Sequence, residues 1–294
     1  MRKRAIGLLL SIIVIIGLIP TAFAEESELP TLTEAPVETT APAETPTATE
    51  PSAEAEERAE FYLNGAAMSD VLTLDADGTT YVCLPLMATA LRADATYAWE
   101  TDRVVVRGSD FVLSAKWDDL YLECNGRYLY IPEGVKHDES GNTYVPVRTL
   151  AKALGVTVAW DGAVQLYTDG AVPLASGDTY YDAQSVDLLA RVIYHESGNQ
   201  PFQGQIAVGN VILNRVASSK FPDTIYDVIY APGQFSSATN CTPDAEAIVA
   251  AKLCLDGAVV LDNAYWFNGV NSPCWASRNK PLVAVIGGHA FYGL

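Results

Sequence analysis

The sequence predicts an α+β protein in two folded parts: a β-rich part with short helices, then a mostly helical part closed by a small antiparallel sheet. Three observations carry this. Residues 188–215 read LLARVIYHESGNQPFQGQIAVGNVILNR, where Leu189, Ala190 and Ile193 share a helical face with Val186 in the i, i+3, i+4, i+7 pattern of a helix packed on a core. Further on the period changes, and Ala264-Tyr265-Trp266-Phe267-Asn268 and Leu282-Val283-Ala284-Val285-Ile286 read as strands of one small sheet. Helices followed by such a sheet make an α+β domain. Upstream, residues 61–167 carry a weak internal repeat with hairpin signals, so each copy combines strands with a short helix.

The 294 residues are enough for two domains. Residues 1–24 have a basic start, an apolar run over residues 5–19 and Ala22-Phe23-Ala24 as a small-x-small cleavage site, the pattern of a signal peptide. A retained membrane anchor is the alternative; it is disfavoured because the run falls short of the roughly 20 residues a span needs. Residues 25–57 alternate Pro, Thr, Ala and Glu with almost no large apolar side chain, and read as a disordered, self-repelling linker. Glycosylation of its threonines is a second reading of the same composition. The formal charge of -18 repels nucleic acid and anionic lipid, so neither is expected as a partner, and no membrane partner is expected once the signal is cleaved.

Residues 58–168 hold the repeat. Gly78-Thr79-Thr80-Tyr81-Val82 matches Gly141-Asn142-Thr143-Tyr144-Val145, Ala88-Thr89-Ala90-Leu91 matches Ala151-Lys152-Ala153-Leu154, and Ala98-Trp99 matches Ala159-Trp160. Asn64-Gly65 and Asn125-Gly126 recur as hairpin-turn signals. Each copy reads as a hairpin, a short helix and a closing strand pair. The phrase YVPVRTLAKALGVTVAWDG resembles the stalk domain first described at the N-terminus of copper amine oxidases, which occurs on many exported bacterial proteins. In the first copy Cys83-Leu84-Pro85 stands where the second has Pro146-Val147-Arg148. No His, Cys or carboxylate cluster here has ligand spacing, so the resemblance carries no implication of copper. Trp99, Tyr128, Tyr130 and Trp160 are expected as core residues of a small sheet domain, with a carbohydrate platform as the alternative. The domain is expected to act as a spacer or wall-attachment module.

Residues 169–184, rich in Gly, Asp and Ser, read as a connector, and residues 185–294 as the second domain. Its first helix ends near Glu196, with Gly198 expected as a left-handed stop and Pro201 blocking continuation. A second helix opens at Phe202 or Gln203 and buries Ile206, Gly209, Val211, Ile212 and Val216, Gly209 allowing close packing. Pro222-Asp223 is expected to start a third helix that ends near Tyr230. Thr242-Pro243 is expected to start a fourth, which Gly257 terminates. Five cysteines, Cys83, Cys124, Cys241, Cys254 and Cys274, show no metal spacing; an exported chain could pair some of them, while Cys83 and Cys254 lie in apolar runs and read equally as buried thiols.

Glu196 is a lone carboxylate at a helix C-terminus. The partial negative charge there and the apolar neighbours should push its pKa upward, as a general acid requires, although a Glu so placed is ordinarily a solvated surface group. The stretch around it, with FPDTIYDVIYAPGQFS over residues 221–236 and the closing residues 264–292, resembles the SleB-like family of bacterial cell-wall hydrolases. That resemblance implies a lysozyme-like fold, the glycan strand of peptidoglycan as substrate and partner, no metal or other cofactor, and Glu196 as the catalytic acid in a secreted, cell wall-associated enzyme. The family's frequent second Glu, four residues on, is here Gln200. A lytic transglycosylase needs only one acid/base, because the muramic acid 6-hydroxyl attacks its own anomeric carbon, so this reaction is favoured.

Two alternatives stay open. One is a muramidase in which Asp223 or Asp227 supplies the second carboxylate; the other is a non-catalytic peptidoglycan-binding or adhesion protein. Sugar contacts are expected from Gln234, Phe235 and Ser236 in the GQFS loop, from Tyr265 and Asn268 in the YWFN strand, and from Arg278: amides and hydroxyls suit N-acetyl and hydroxyl groups, aromatic faces suit pyranose rings, and Arg pairs with carboxylates. His195 and His289 are weaker candidates.

Overall fold

A computed structural model describes residues 59–294; the expected signal (residues 1–24) and acidic linker (residues 25–57) lie outside the described residues. Strand β1 (Phe61–Leu63) turns into β2 (Ala66–Ala67) through Asn64-Gly65, both at positive φ (51° and 82°), the backbone a two-residue hairpin needs. A second hairpin, β3 (Thr73–Ala76) and β4 (Thr79–Cys83), leads into α1 (Leu84–Leu91), then β5 (Thr96–Glu100) and β6 (Arg103–Arg107). A meander of β7 (Val112–Ala115), β8 (Tyr121–Cys124) and β9 (Arg127–Tyr130) follows, with Asn125-Gly126 at the last turn. Then hairpin, helix and strand pair recur as β10 (Lys136–His137), β11 (Thr143–Pro146), α2 (Val147–Leu154), β12 (Thr157–Trp160) and β13 (Val164–Tyr167).

Three sheets result, in strand orders β12-β13-β1-β2, β10-β11-β4-β3 and β5-β6-β7-β8-β9. In the middle one β4 and β11 pair antiparallel, with Tyr144 opposite Cys83, Val145 opposite Val82 and Pro146 opposite Tyr81. This register is its own mirror under exchange of the two copies. The apolar faces of α1, α2 and these strands share one core that includes Val82, Leu84, Leu122, Leu150 and Leu166. Trp99 and Trp160 are not in it. They lie 51% and 62% exposed on β5 and β12, which are edge strands of their sheets. The expected core role of these two rings is therefore corrected.

The C-terminal half begins with the short helix α3 (Gly177–Tyr180), then α4 (Ala183–Ser197), α5 (Phe202–Val216), α6 (Ile225–Tyr230), a 3-10 turn over Ser236–Thr239, and α7 (Ala245–Leu255). Asp182 and Asp244 cap α4 and α7, accepting from Ser185 N and Ala247 N at 2.8 Å each. Thr224 caps α6 by accepting from Asp227 N at 3.0 Å. Two helix starts thus fall two or three residues later than expected, because a side-chain acceptor sits at Thr224 and Asp244 and Pro222 and Pro243 lie outside the helices. Gly209 packs as the sequence implies: a Cβ there would come within 2.6 Å of Cys254 Sγ on α7 and 3.1 Å of Ile193 Cδ1 on α4. Asn210 and Asn214 hold the chain after α7, donating to the carbonyls of Ala258 (2.8 Å), Leu261 (2.9 Å) and Ala264 (3.0 Å).

The closing sheet has three strands. β14 (Trp266–Gly269), β15 (Leu282–Ile286) and β16 (His289–Tyr292) run in the order β14-β16-β15, so the last strand is central and separates the two read from sequence. A short helix, α8 (Trp275–Asn279), interrupts the link from β14 to β15. All five cysteines are unpaired, with Cys83, Cys124 and Cys254 buried. Among the described residues no helix is long and apolar enough to cross a membrane.

The two halves meet over a buried contact. Arg127 on β9 donates from Nε to Asp256 Oδ1 at 3.1 Å and from Nη2 to the same oxygen, and its guanidinium lies 3.3 Å from the Tyr180 ring centroid. The Tyr181 hydroxyl donates to Asp256 as well, and Lys252 stands 5.4 Å from the rings of both Tyr128 and Tyr181. Tyr121, Tyr128 and Tyr130 pack against the core of the helical half, Tyr121 lying 6.4 Å from Phe202. The segment expected as a connector is part of this contact: Gly177 N donates to Asn125 O at 2.8 Å, and a Cβ on Gly177 would meet Gly126 O at 2.4 Å.

Candidate active site

Helix α4 carries Glu196 on its last turn, next to Ser197, whose hydroxyl is buried and donates back to Ile193 O at 2.7 Å. Gly198 does not take the expected left-handed backbone. It stays helical (φ -62°, ψ -14°), and what demands glycine is space, since a Cβ would lie 2.6 Å from Tyr194 O. The chain then turns through Gln200, which donates its backbone N–H to Ser197 O at 2.9 Å. The Gln200 side chain reaches across to the β15–β16 turn and accepts from Gly288 N at 2.7 Å. The residue at the place of a second Glu is thus a clamp between the end of α4 and the sheet.

Glu196 is half-buried. Burial raises its pKa above the ordinary 4.5, and the only charge that works against this is His195. Among the described residues no second carboxylate bears on its ionisation. Asp223 and Asp227 are both exposed, and Asp227 accepts from Thr224 Oγ1 at 2.6 Å at the start of α6. His195 is exposed, and its neighbour Tyr194 is 37% exposed.

On one flank of α4, Arg191 donates to the carbonyls of Thr239 and Cys241 and so holds the GQFS loop against the helix. Phe235 of that loop stacks on Phe267 of β14 at 6.1 Å and 7°. Gln234 accepts from Arg215 Nη1 at 2.6 Å, and Ser236 opens the 3-10 turn, exposed. Tyr265 stacks on Phe221 (5.8 Å, 6°), and its carbonyl accepts from Arg215 Nε at 2.8 Å. Arg215 therefore ties the GQFS loop to the YWFN strand. It is buried without an ion-pair partner among the described residues, and burial pulls its pKa down to about 10.

Asn268 is placed differently from the expectation. Its Nδ2 donates to Gly269 O (2.7 Å) and Ser272 O (2.8 Å), and its Oδ1 accepts from Cys274 Sγ (3.0 Å). Both amide protons are committed to shaping the loop over residues 269–274, so a direct sugar contact through them is set aside. Arg278 is exposed in the last turn of α8. His289 faces Phe267 at 5.4 Å, its pKa lowered by burial and its Nδ1 without a partner among the described residues.

The sequence reading missed Arg215, although a cation on an otherwise apolar helix face signals a buried partner. It also missed Trp275, 60% exposed and 5.9 Å from Trp266, with Lys280 Nζ 4.6 Å and 5.6 Å from the two rings. Nothing local marked that cluster, since it depends on α8 folding back over β14.

The family described as Cell Wall Hydrolase matches residues 199–292, a stretch that opens three residues after Glu196. The Copper amine oxidase N-terminal domain matches residues 62–168. The spore cortex-lytic enzyme of Bacillus cereus is 34% identical over 116 residues, 38% of this chain and 45% of that protein. That of Oceanobacillus iheyensis is 32% identical over 127 residues, 42% of this chain and 46% of that protein. The chain thus spans about half the length of the curated relatives it matches. Among solved structures, the catalytic domain of the Bacillus cereus SleB protein is 32% identical with a TM-score of 0.36, covering 38% of this chain and 91% of that one. The catalytic domain of the germination-specific lytic transglycosylase SleB from Bacillus anthracis is 30% identical with a TM-score of 0.36, covering 40% and 99%. Residues 199–292 thus carry a cell wall hydrolase domain, and a copper amine oxidase N-terminal-type domain over residues 62–168 precedes it.

Proposed function

We propose that this protein degrades peptidoglycan by cutting the glycan backbone between muramic acid and glucosamine residues, as a lytic transglycosylase with Glu196 as its only general acid/base. The observation that carries the reading is Glu196 itself: half-buried at a helix end, its pKa raised by burial, with no second carboxylate among the described residues acting on it. In this reading residues 58–168 form the stalk, residues 169–184 the connection and residues 185–294 a lysozyme-like catalytic domain. The protein is exported and works at the cell wall.

The protonated Glu196 donates to the glycosidic oxygen as the bond to the anomeric carbon breaks. The oxocarbenium-like centre is captured by the 6-hydroxyl of the same muramic acid, which returns its proton to the Glu196 carboxylate. The products are a 1,6-anhydro end and a free 4-hydroxyl, and no water is consumed. Ser236 opens the turn that packs on the helix carrying the acid, and Gln234 and Tyr265 are linked through Arg215. Arg278 and the Trp266–Trp275 pair offer a charge and ring faces further along the sheet.

The test is mass spectrometry of soluble products from the whole protein and its Glu196→Gln variant incubated with peptidoglycan. Anhydro-muropeptides from the wild type alone are expected. Reducing-end products would make water the nucleophile and Asp223 or Asp227 the residue to examine. No product from either, with wall binding retained, would leave the adhesion reading.

A further inference from the structure

The β-rich half has two equivalent halves of its own, and they differ at one place. Hairpin β3–β4, α1 and β5–β6 follow the same order as β10–β11, α2 and β12–β13, and the sequence repeat relates Gly78, Thr80 and Trp99 to Gly141, Thr143 and Trp160. Beside the second hairpin the indole of Trp117 sits in the concavity between Thr143, Gly141 and Trp99. Its Nε1 donates to Thr143 Oγ1 at 2.9 Å, its ring meets Trp99 edge-on at 5.2 Å and stacks on His137 at 4.4 Å, and it lies 3.9 Å from where a Gly141 Cβ would be. The corresponding place in the other half is a groove of about 320 Å³ bordered by Gly78, Thr80, Pro146, Arg148 and Trp160. Among the described residues no side chain plays the part of Trp117 there.

We propose that this groove is a glycan-binding site for one pyranose ring that carries a carboxylate, as the muramoyl residue of a wall glycan does. Its volume is at the low end of small-molecule sites, about 300–1,000 Å³, which suits a single ring. Trp160, 62% exposed, stands at the place equivalent to Trp99, whose ring packs against Trp117, and borders the groove with its own ring. Thr80 stands where Thr143 accepts the indole N–H, and Asp75, paired with Thr80 in the sheet as His137 is with Thr143, lies on the neighbouring strand. These acceptors favour a polyhydroxylated ring over an apolar one. Arg148 is exposed, makes no ion pair among the described residues, and supplies the cation for the carboxylate on a chain of net charge -18. The chain's own acidic stretch, residues 25–57, contains no aromatic or sugar-like ring to fill the slot. The identity of the glycan rests on the function proposed above, while the site stands on its own geometry. It would hold the wall at a point separate from Glu196.

The experiment uses the whole protein with Glu196→Gln, so that any turnover does not erode the ligand, and measures co-sedimentation with insoluble peptidoglycan and binding of free N-acetylmuramic acid and N-acetylglucosamine. Trp160→Ala and Arg148→Ala alter exposed side chains, and thermal melting checks that both fold. Each is expected to weaken wall binding about tenfold, and Arg148→Ala to abolish the preference for the acidic sugar. Wall binding and sugar preference unchanged in both folded variants would overturn the proposal. Weakening by Arg148→Ala alone would assign the groove to a linear acidic segment and overturn the sugar reading. In the Glu196-intact background, anhydro products persisting with weakened binding in Trp160→Ala would separate this site from the catalytic reading, which fails only if the wild type gives no product.

Discussion

Replacing Asp256 by alanine tests whether the two halves form one cooperative unit. The Asp256 side chain is 2% exposed and its partner Arg127 10% exposed, so the pair is desolvated and its loss is not cushioned by water. Removing one member of such a pair leaves a buried charge uncompensated, which costs about 3–5 kcal/mol. The Tyr181 hydroxyl and the Tyr128 N–H lose an acceptor at the same time. At about 2–4 °C per kcal/mol for a body of this size, the midpoint should fall by about 6–20 °C. Urea and thermal unfolding followed by circular dichroism and tryptophan fluorescence read both quantities, and the wild type should unfold in one transition. The double variant Arg127→Met with Asp256→Leu should recover most of the loss, because it removes both charges. A cost below about 1 kcal/mol for Asp256→Ala would put the pair among exposed ones and refute the reasoning. Two separate transitions in the wild type would refute the single unit.

Other expectations follow from the same geometry. Because burial raises the Glu196 pKa, the folded state binds its proton more tightly than the unfolded chain, so the contribution of this group to stability is fully present below about pH 4.5 and is lost as pH rises through the folded value. The stability gap between wild type and Glu196→Gln should therefore change with pH over that window, and a flat difference would contradict the burial argument. Cleavage should fall as the acid loses its proton at higher pH, and the Gln variant should be slower by about 10²–10⁴-fold in glycan release. Gly209→Ala places a Cβ 2.6 Å from buried Cys254 Sγ and should destabilise by about 1–3 kcal/mol despite the better helix former; a gain in urea midpoint would mean α5 and α7 are not in close contact. Trp275→Ala should raise KM for glycan with little change in kcat, and equal losses in both would place the ring in the chemistry instead.

The helices around Glu196 were legible in the chain because their signals are local: the spacing of Val186, Leu189, Ala190 and Ile193, the break at Gly198 and Pro201, and the small residue at Gly209 among large apolar ones. The paired Asn-Gly turns and the repeated phrases were legible for the same reason, since a positive-φ turn depends on two residues alone. What the chain could not announce was decided by partners distant in sequence. β16 is central only because β14 and β15 flank it, so a four-residue run at the end of the chain outranks the two longer runs that looked like a pair. Trp99 and Trp160 are exposed because sheet order leaves their strands at an edge, which residue type does not encode. Asn268 and Arg215 exchanged their apparent parts: the amide expected to meet sugar closes a loop, and the cation left unassigned joins the GQFS loop to the YWFN strand. By itself the sequence determined the kinds of element and the acid at the end of α4. The tertiary structure alone decided which side chains stand beside that helix, because hydrogen bonds and burial depend on neighbours that lie tens of residues apart in the chain.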